Sequence, residues 1–382
     1  MYRPLWIEVN LRALRNNFKR IRRIVGRGVK IMATLKQEAY GHGLIPLARE
    51  FSFLGVDFFG LGSLEEAIIL REKGFRDPIL ILSSLETKFA QEFIRYKVIP
   101  TVVDLKFAKK LNEEARKRNK IVPIHIKIDT GMGRLGIWHK EAGEFIKKLA
   151  EFKNLYLEGL FTHFPSADTD VKFTNNQIKG FNNLVDNLRK ECIVFRYLHC
   201  ANSIGIVNYK NSHFNLVRPG LILYGINPSS LGIELNPALS LRSKIIFIKR
   251  VEKGRSISYG RTFITKFPTT IGTVACGYAD GYPWILSNRG KVIIKNKLFK
   301  VVGRVCMDHI MVNLGQVSNI KLGQEVILIG KGKNLRITVE DLANWAGTIP
   351  YEIVSRLSLK IPRIYKLSSY KNKTTYTHNK KK

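Results

Sequence analysis

Lys36 closes an apolar run, Val29 to Leu35, and is followed at once by Gln-Glu-Ala-Tyr40-Gly-His-Gly43. A lysine at the end of a buried strand has a less solvated amine, and such an amine can form a Schiff base with a carbonyl. On position alone a lysine that leaves a strand edge and faces water is the ordinary reading. Two later turns add polar groups: His199-Cys-Ala-Asn202-Ser203, which opens a helix, and Val217-Arg218-Pro-Gly220-Leu221. Ser203 supplies a hydroxyl at a helix start, where an N-cap is its ordinary role. Gly220 allows close backbone approach. An amine at one strand end and a phosphate cup at two others together describe a pocket for pyridoxal 5'-phosphate, which needs both.

The elements that must place these groups alternate. Leu11, Leu14, Phe18, Ile21 and Ile24 recur at three to four residues, so an amphipathic helix follows a short strand over Trp6 to Val9. Helical stretches are predicted at about 44–53, 64–73, 86–95, 104–118, 139–151 and 171–190. Between them lie the strand ending at Lys36 and apolar runs over 56–59, 79–82, 98–102, 122–128, 155–161, 195–198 and 216–224. Eight strand candidates separated by helices predict a parallel sheet closed as a (β/α)8 barrel, over residues 9–228. From about residue 230 the helical period fades. Short strands with Gly turns take over at 243–251, 270–276, 292–294, 300–302, 311–314 and 325–329, with one helix over 339–346. This predicts a mostly β C-terminal domain over 229–368, joined by the N-terminal strand 1–8. The tail, 369–382, is basic and reads as disordered: residues 370–382 hold five lysines and no acid.

Composition narrows the function classes. The 382 residues are 45% hydrophobic, enough for a real core. No apolar run approaches the ~20 residues of a membrane span, and the N-terminus shows no apolar signal region, so neither a membrane nor secretion is expected. The four cysteines form no CxxC pair, which suits a reducing cytoplasm. No clustered His/Cys/acid spacing suggests a metal. The net charge of +34 raises a nucleic-acid binder. The basic residues are spread over 19–23, 109–110, 116–118, 249–250 and 295–300 with no aromatic-interleaved stripe, so no specific nucleic-acid partner is expected.

Over about residues 4 to 366 the motifs resemble the alanine racemases. They are Leu35-Lys36-Gln-Glu-Ala-Tyr40-Gly-His-Gly, Lys127-Ile-Asp-Thr-Gly-Met-Gly-Arg134-Leu-Gly, Thr162-His163-Phe, Ala201-Asn202-Ser203, Val217-Arg218-Pro-Gly220, Ser258-Tyr259-Gly260, Gly277-Tyr278-Ala-Asp280-Gly and Gly303-Arg304-Val-Cys306-Met307-Asp308. The resemblance implies a pyridoxal-phosphate racemase that interconverts L- and D-alanine and supplies D-alanine for peptidoglycan. Its amino acid substrate would bind at active sites shared across a homodimer.

By that resemblance Lys36 bonds the cofactor aldehyde and is the base on one face of the substrate, and Tyr259 of the other subunit is the base on the opposite face. A reference pKa near 10 means the phenol must be tuned. The family does this through a hydrogen-bonded chain, here Tyr259–His163–Arg218–pyridine nitrogen, whereas a lone core histidine is the ordinary reading of His163. Arg218 never gives up its proton, so the ring nitrogen stays unprotonated. Tyr40, Asn202, Ser203, Gly220 and Leu221 are implied cofactor contacts. Arg134 and the Met307 N–H are implied contacts to the substrate carboxylate. Lys127 beside Arg134 would repel it, and the matching family lysine is often carbamylated by CO2. Tyr278, Asp280, Arg304 and Asp308 are implied to line the substrate channel at the dimer interface.

Two departures stand out. Leu359 occupies the place of a phosphate-gripping tyrosine, which would loosen the cofactor or widen the gate. Trp284 replaces a channel arginine. The rivals are specific too. Gly131-Met-Gly133-Arg-Leu-Gly136 is a G-x-G-x-x-G after a strand, and Glu158 lies one unit on, a passable dinucleotide fingerprint. A single-domain cofactor carrier would lack Tyr259 and the β domain. A basic amino acid decarboxylase shares the layout, but its Gly/Cys/Asp signature is missing.

Overall fold

A computed structural model describes residues 3–84, 86–228, 231–316 and 319–367. The tail expected over 369–382 lies outside these residues. Eight parallel strands close a barrel and are numbered here as barrel strands one to eight: Lys30–Thr34, Phe58–Leu61, Ile79–Ile81, Thr101–Val102, Val122–Asp129, Leu155–Phe161, Tyr197–His199 and Leu216–Val217. Strand eight pairs with strand one at Leu216↔Lys30 and Val217↔Ile31. A bridge between Leu80 and Ile99 carries the ring from strand three toward strand four. The Arg218 N–H donates to the Ala201 carbonyl at 3.0 Å and links seven to eight. Strands two, three and four are buried at every residue, as a sheet covered on both faces requires.

The covering helices follow their sequence periods. Leu11–Val25 buries Leu14, Phe18, Ile21 and Val25 along one face, and the Asn10 side chain accepts the Ala13 N–H at its start. Ser63, Asp104 and Asp170 cap the helices Leu64–Glu72, Leu105–Lys117 and Val171–Lys190 in the same way. Among the described residues no helix is long and apolar enough to cross a membrane.

The C-terminal module is a nine-stranded sheet with two helices, Val339–Ala346 and Pro350–Ser355. Its spine is Leu239–Val251, thirteen residues long. The first half of that strand pairs with Leu5–Asn10, and the second half with Thr269–Val274. Leu5–Asn10 also pairs in parallel with Arg363–Lys366. Glu8 ties these strands together, 3.1 Å from Arg242 and 2.7 Å from Lys366.

Several expected elements differ. The run 216–224 is a strand only over Leu216–Val217. Pro219 cannot donate to a ladder, and Leu221–Tyr224 winds into a 3-10 turn. The strand expected over 300–302 lies at Lys297–Lys300, in a hairpin with Lys291–Ile294. Lys295 and Asn296 make its two-residue turn with φ of 46° and 60°, the positive pair that matches strand twist. Barrel strand one stops at Thr34 rather than at Lys36.

Candidate active site

The segment after strand one does not wind into a right-handed helix. Gln37, Glu38, Ala39 and Tyr40 all have φ of 53–54°, a turn of left-handed helix made without glycine. Each such residue costs roughly 1–2 kcal/mol, so the surroundings must hold the turn. Glu66 accepts the Glu38 and Gly62 N–H groups at 3.2 Å each, and Glu38 accepts the Leu44 N–H at 3.0 Å. From the C-terminal side, Arg363 Nε–H donates to the Gly41 carbonyl at 2.9 Å and the Tyr365 hydroxyl to the His42 carbonyl at 2.9 Å. The turn begins at Lys36 and ends with the Tyr40 ring buried, 5.0 Å from the ring of Tyr224. Burial, then the nearby Arg134, pulls the Lys36 amine below its ordinary value.

Tyr40 meets the two other turns that the sequence singled out. The Gly220 N–H donates to Ser203 Oγ at 2.9 Å. A Cβ on Gly220 would lie 2.9 Å from the Tyr40 hydroxyl. The glycine thus keeps open a cradle with two hydroxyls and backbone beside it, which fits a phosphate group. Burial raises the Tyr40 phenol, so it remains a donor. Asn202 lies one step back, capping Ser203–Asn208 through the Gly205 N–H at 2.9 Å. Leu221 is fully buried behind Gly220.

Arg218 is buried and multiply bound. Its Nη1 donates to His199 Nδ1 at 2.8 Å and to the His199 carbonyl at 2.7 Å. Its Nη2 donates to the carbonyls of Thr162 and Cys200 at 2.6 and 3.0 Å. Nε–H takes no part in these bonds, which suits an acceptor nitrogen on a bound ring. Burial pushes the guanidinium down to about 10, still a cation at neutral pH. Phe161 is the wall of this region. It stacks on His199 with centroids 4.6 Å apart, and Arg218 and Lys127 stand 5.3 and 5.6 Å from its centre.

Lys127 is 4% exposed. Burial first, then Arg134, Arg218 and Lys36, lower its amine to about 7. The same cations add to burial in holding His163 well below its ordinary value. Among the described residues no hydrogen bond joins His163 to Arg218. The histidine that Arg218 does bond is His199, which the sequence presented only as the start of a turn.

The expected residues of the β domain are mostly exposed. Tyr259 is 71% exposed and Met307 55% exposed, and no hydrogen bond among the described residues ties either side chain to the barrel. Arg304 lies 5.5 Å from the Trp284 ring, and its guanidinium carbon is 3.1 Å from where a Gly260 Cβ would be. Asp280 has a partner within its own chain. It is 5% exposed and forms a two-pronged pair with Arg3 at 2.6 and 2.7 Å. Leu359 is exposed, and Tyr351, on the neighbouring helix, has its ring 6.2 Å from that of Tyr40.

The dinucleotide fingerprint has a different use. The N–H groups of Gly131, Met132 and Gly133 all donate to the Asp129 carboxylate at 2.8 Å. The glycine turn is thereby wrapped on its own acid, leaving those donors no pyrophosphate to bind. Among the described residues no group of three or more His, Cys, Asp or Glu could hold a metal.

Comparison with known proteins covers both parts of the chain. Residues 9–228 match the family profile described as "Alanine racemase, N-terminal domain", and 238–365 match "Alanine racemase, C-terminal domain". An alanine racemase of Halothermothrix orenii is 40% identical over 368 residues, covering 95% of this chain and 97% of that protein. A solved alanine racemase of Clostridium difficile 630 superposes with a TM-score of 0.91 at 38% identity, covering 95% of this chain and 96% of that one. Another, from Bartonella henselae with covalently bound pyridoxal phosphate, has a TM-score of 0.86 at 27% identity, with 95% and 99% covered.

Proposed function

The chain belongs to the alanine racemase family, and from that premise we infer how its own residues interconvert L- and D-alanine. Pyridoxal phosphate, when bound, supplies the electron-withdrawing ring that makes the substrate α-proton removable. Lys36 anchors it at the aldehyde. The Tyr40 and Ser203 hydroxyls and the backbone at Gly220 and Leu221 hold the phosphate, with Asn202 fixing the turn. Arg218 donates its remaining N–H to the ring nitrogen. As an obligate donor it keeps that nitrogen unprotonated, which limits side reactions.

Racemisation needs one group to take the α-proton and another to return one from the opposite face. Lys36, its amine depressed by burial and by Arg134, serves one face. Tyr259 of a second copy serves the other, with His163 behind it. Arg134 and the Met307 N–H of that second copy orient the substrate carboxylate. Lys127, carrying CO2 as a carbamate, turns from a cation that repels Arg134 into an anion that holds it. The assembly is a homodimer with shared sites. Its compartment is the reducing cytoplasm, in keeping with four free cysteines, and its product feeds peptidoglycan.

The convergence of the Tyr40 hydroxyl, Ser203 Oγ and Gly220 in one cradle, at the end of the turn that Lys36 begins, carries this reading. Protein loaded with pyridoxal phosphate is expected to absorb near 420 nm, roughly, and to lose that band on borohydride reduction. In D2O, Lys36→Ala and Tyr259→Phe should each slow deuterium wash-in from one alanine enantiomer far more than from the other, by about 100-fold or greater. Equal slowing from both enantiomers would refute the two-face assignment.

A further inference from the structure

Behind Arg218, four side chains stand in file through the barrel interior. Arg218 Nη1 is 2.8 Å from His199 Nδ1, and His199 Nε2 is 2.9 Å from His125 Nδ1. His125 Nε2 is 3.5 Å from Glu158 Oε2. Among the described residues, neither of these last two atoms, both buried, has a hydrogen-bond partner, so each has only the other to turn to. His125 sits on strand five and Glu158 on strand six. The neighbouring residue, Gly159, makes room for the imidazole, since a Cβ there would lie 2.4 Å from the His125 ring.

The directions of these bonds are set at both ends, by a donor at Arg218 and an acceptor at Glu158. A guanidinium has no lone pair to offer, so Arg218 donates and His199 Nδ1 accepts. The His199 proton is then on Nε2, which donates to His125 Nδ1. The His125 proton is in turn on Nε2, facing the Glu158 carboxyl oxygen. Both imidazoles are fully buried, and burial holds each below its ordinary value, so each is neutral with one proton to place. If the acceptor at Glu158 is removed, nothing fixes the far end. His125 can then turn its proton to Nδ1, which forces the His199 proton onto Nδ1, against the Arg218 N–H.

We propose that Glu158 is a positioning residue for Arg218, setting the tautomers of His125 and His199 so that the guanidinium is held with its Nε–H free for the cofactor ring. This rests on the racemase reading of the site. It also gives a use to an acid that the sequence could place only in a dinucleotide fingerprint.

The test is 15N NMR of the histidine-labelled chain, which has eight histidines, with and without pyridoxal phosphate. The unmodified protein is expected to show His125 and His199 neutral, each protonated at Nε2. A charged ring, or a proton on His199 Nδ1, overturns the proposal whether or not any variant folds. In Glu158→Leu, the His125 and His199 signals should move toward the other tautomer. The absorbance band of the bound cofactor should shift, and kcat should fall about tenfold with KM little changed, the order seen when a group that orients another is lost. Unchanged tautomers and spectrum in that variant also overturn it. If the chain binds no cofactor, the proposed function fails while the tautomer result still stands. If it racemises alanine but Glu158→Leu changes nothing, this inference alone fails.

Discussion

CO2 reacts with a free amine and not with an ammonium, so Lys127 can be tested by a chemical shift without any turnover. Its amine is held at about 7, chiefly by burial. Uptake of 13CO2 should therefore rise as pH climbs through about 7 and be absent in Lys127→Ala, read as a carbamate carbon resonance. A lysine that stays unmodified above pH 8, roughly, would defeat the idea. The sign for folding comes from the same depression. Between about 7 and 10.5 the unfolded chain holds this proton and the folded one does not, so the contribution of Lys127 to stability rises with pH across that window. At this scale the sequence was informative where a residue type is scarce in its setting: a lysine at a strand end, or an arginine before Pro-Gly. It was silent on His199 and Phe161, whose importance comes from a stack and a hydrogen bond between strands that are separate in sequence.

Among the elements, the left-handed turn after strand one was the least legible. Gln-Glu-Ala-Tyr contains nothing that asks for positive φ, and the conformation is imposed by Glu66, Arg363 and Tyr365 from elsewhere. Gly41 is the point of closest contact. A Cβ there would meet the Val354 carbonyl oxygen at 2.3 Å, at a φ of 76°. Gly41→Ala should thus cost roughly 3 kcal/mol or more by denaturant unfolding, and slow the reaction of Lys36 with pyridoxal phosphate; unchanged stability would show that the turn is not clamped. The helix Leu105–Lys117 offers a second test. Glu114 is flanked by Arg118 at 2.6 Å, Lys117 at 3.0 Å and Lys110 at 3.1 Å. These partners hold its carboxyl down to about 2, against an ordinary 4.5. Its contribution is present above about 4.5 and lost as pH falls through about 2, so Glu114→Gln should lower Tm at pH 7 and leave it unchanged at the acid end. Helix bounds such as 44–53, by contrast, were readable because periodicity is local.

For the whole molecule, the exposed Tyr259 makes a prediction that needs two chains. Lys36→Ala and Tyr259→Phe proteins, each inactive, should regain activity when unfolded and refolded together. Random pairing puts one intact site in each mixed dimer, giving about a quarter of the wild-type sites. A mixture that stays inactive would place both residues in one chain. The change of texture near residue 230 was legible because strand and helix differ in period. How Leu5–Asn10 is shared was not, because the pairing is between distant segments.

That sharing has a consequence for biosynthesis. Leu5–Asn10 leaves the ribosome before the barrel; of its two neighbours Leu239–Val251 follows the barrel closely, but Arg363–Lys366 is translated only after the rest of the β domain. A nascent barrel must therefore wait with a bare, partly apolar strand edge, which invites association with other chains. Slowing translation past the barrel should increase this chain's dependence on chaperones until Arg363–Lys366 can pair with that edge.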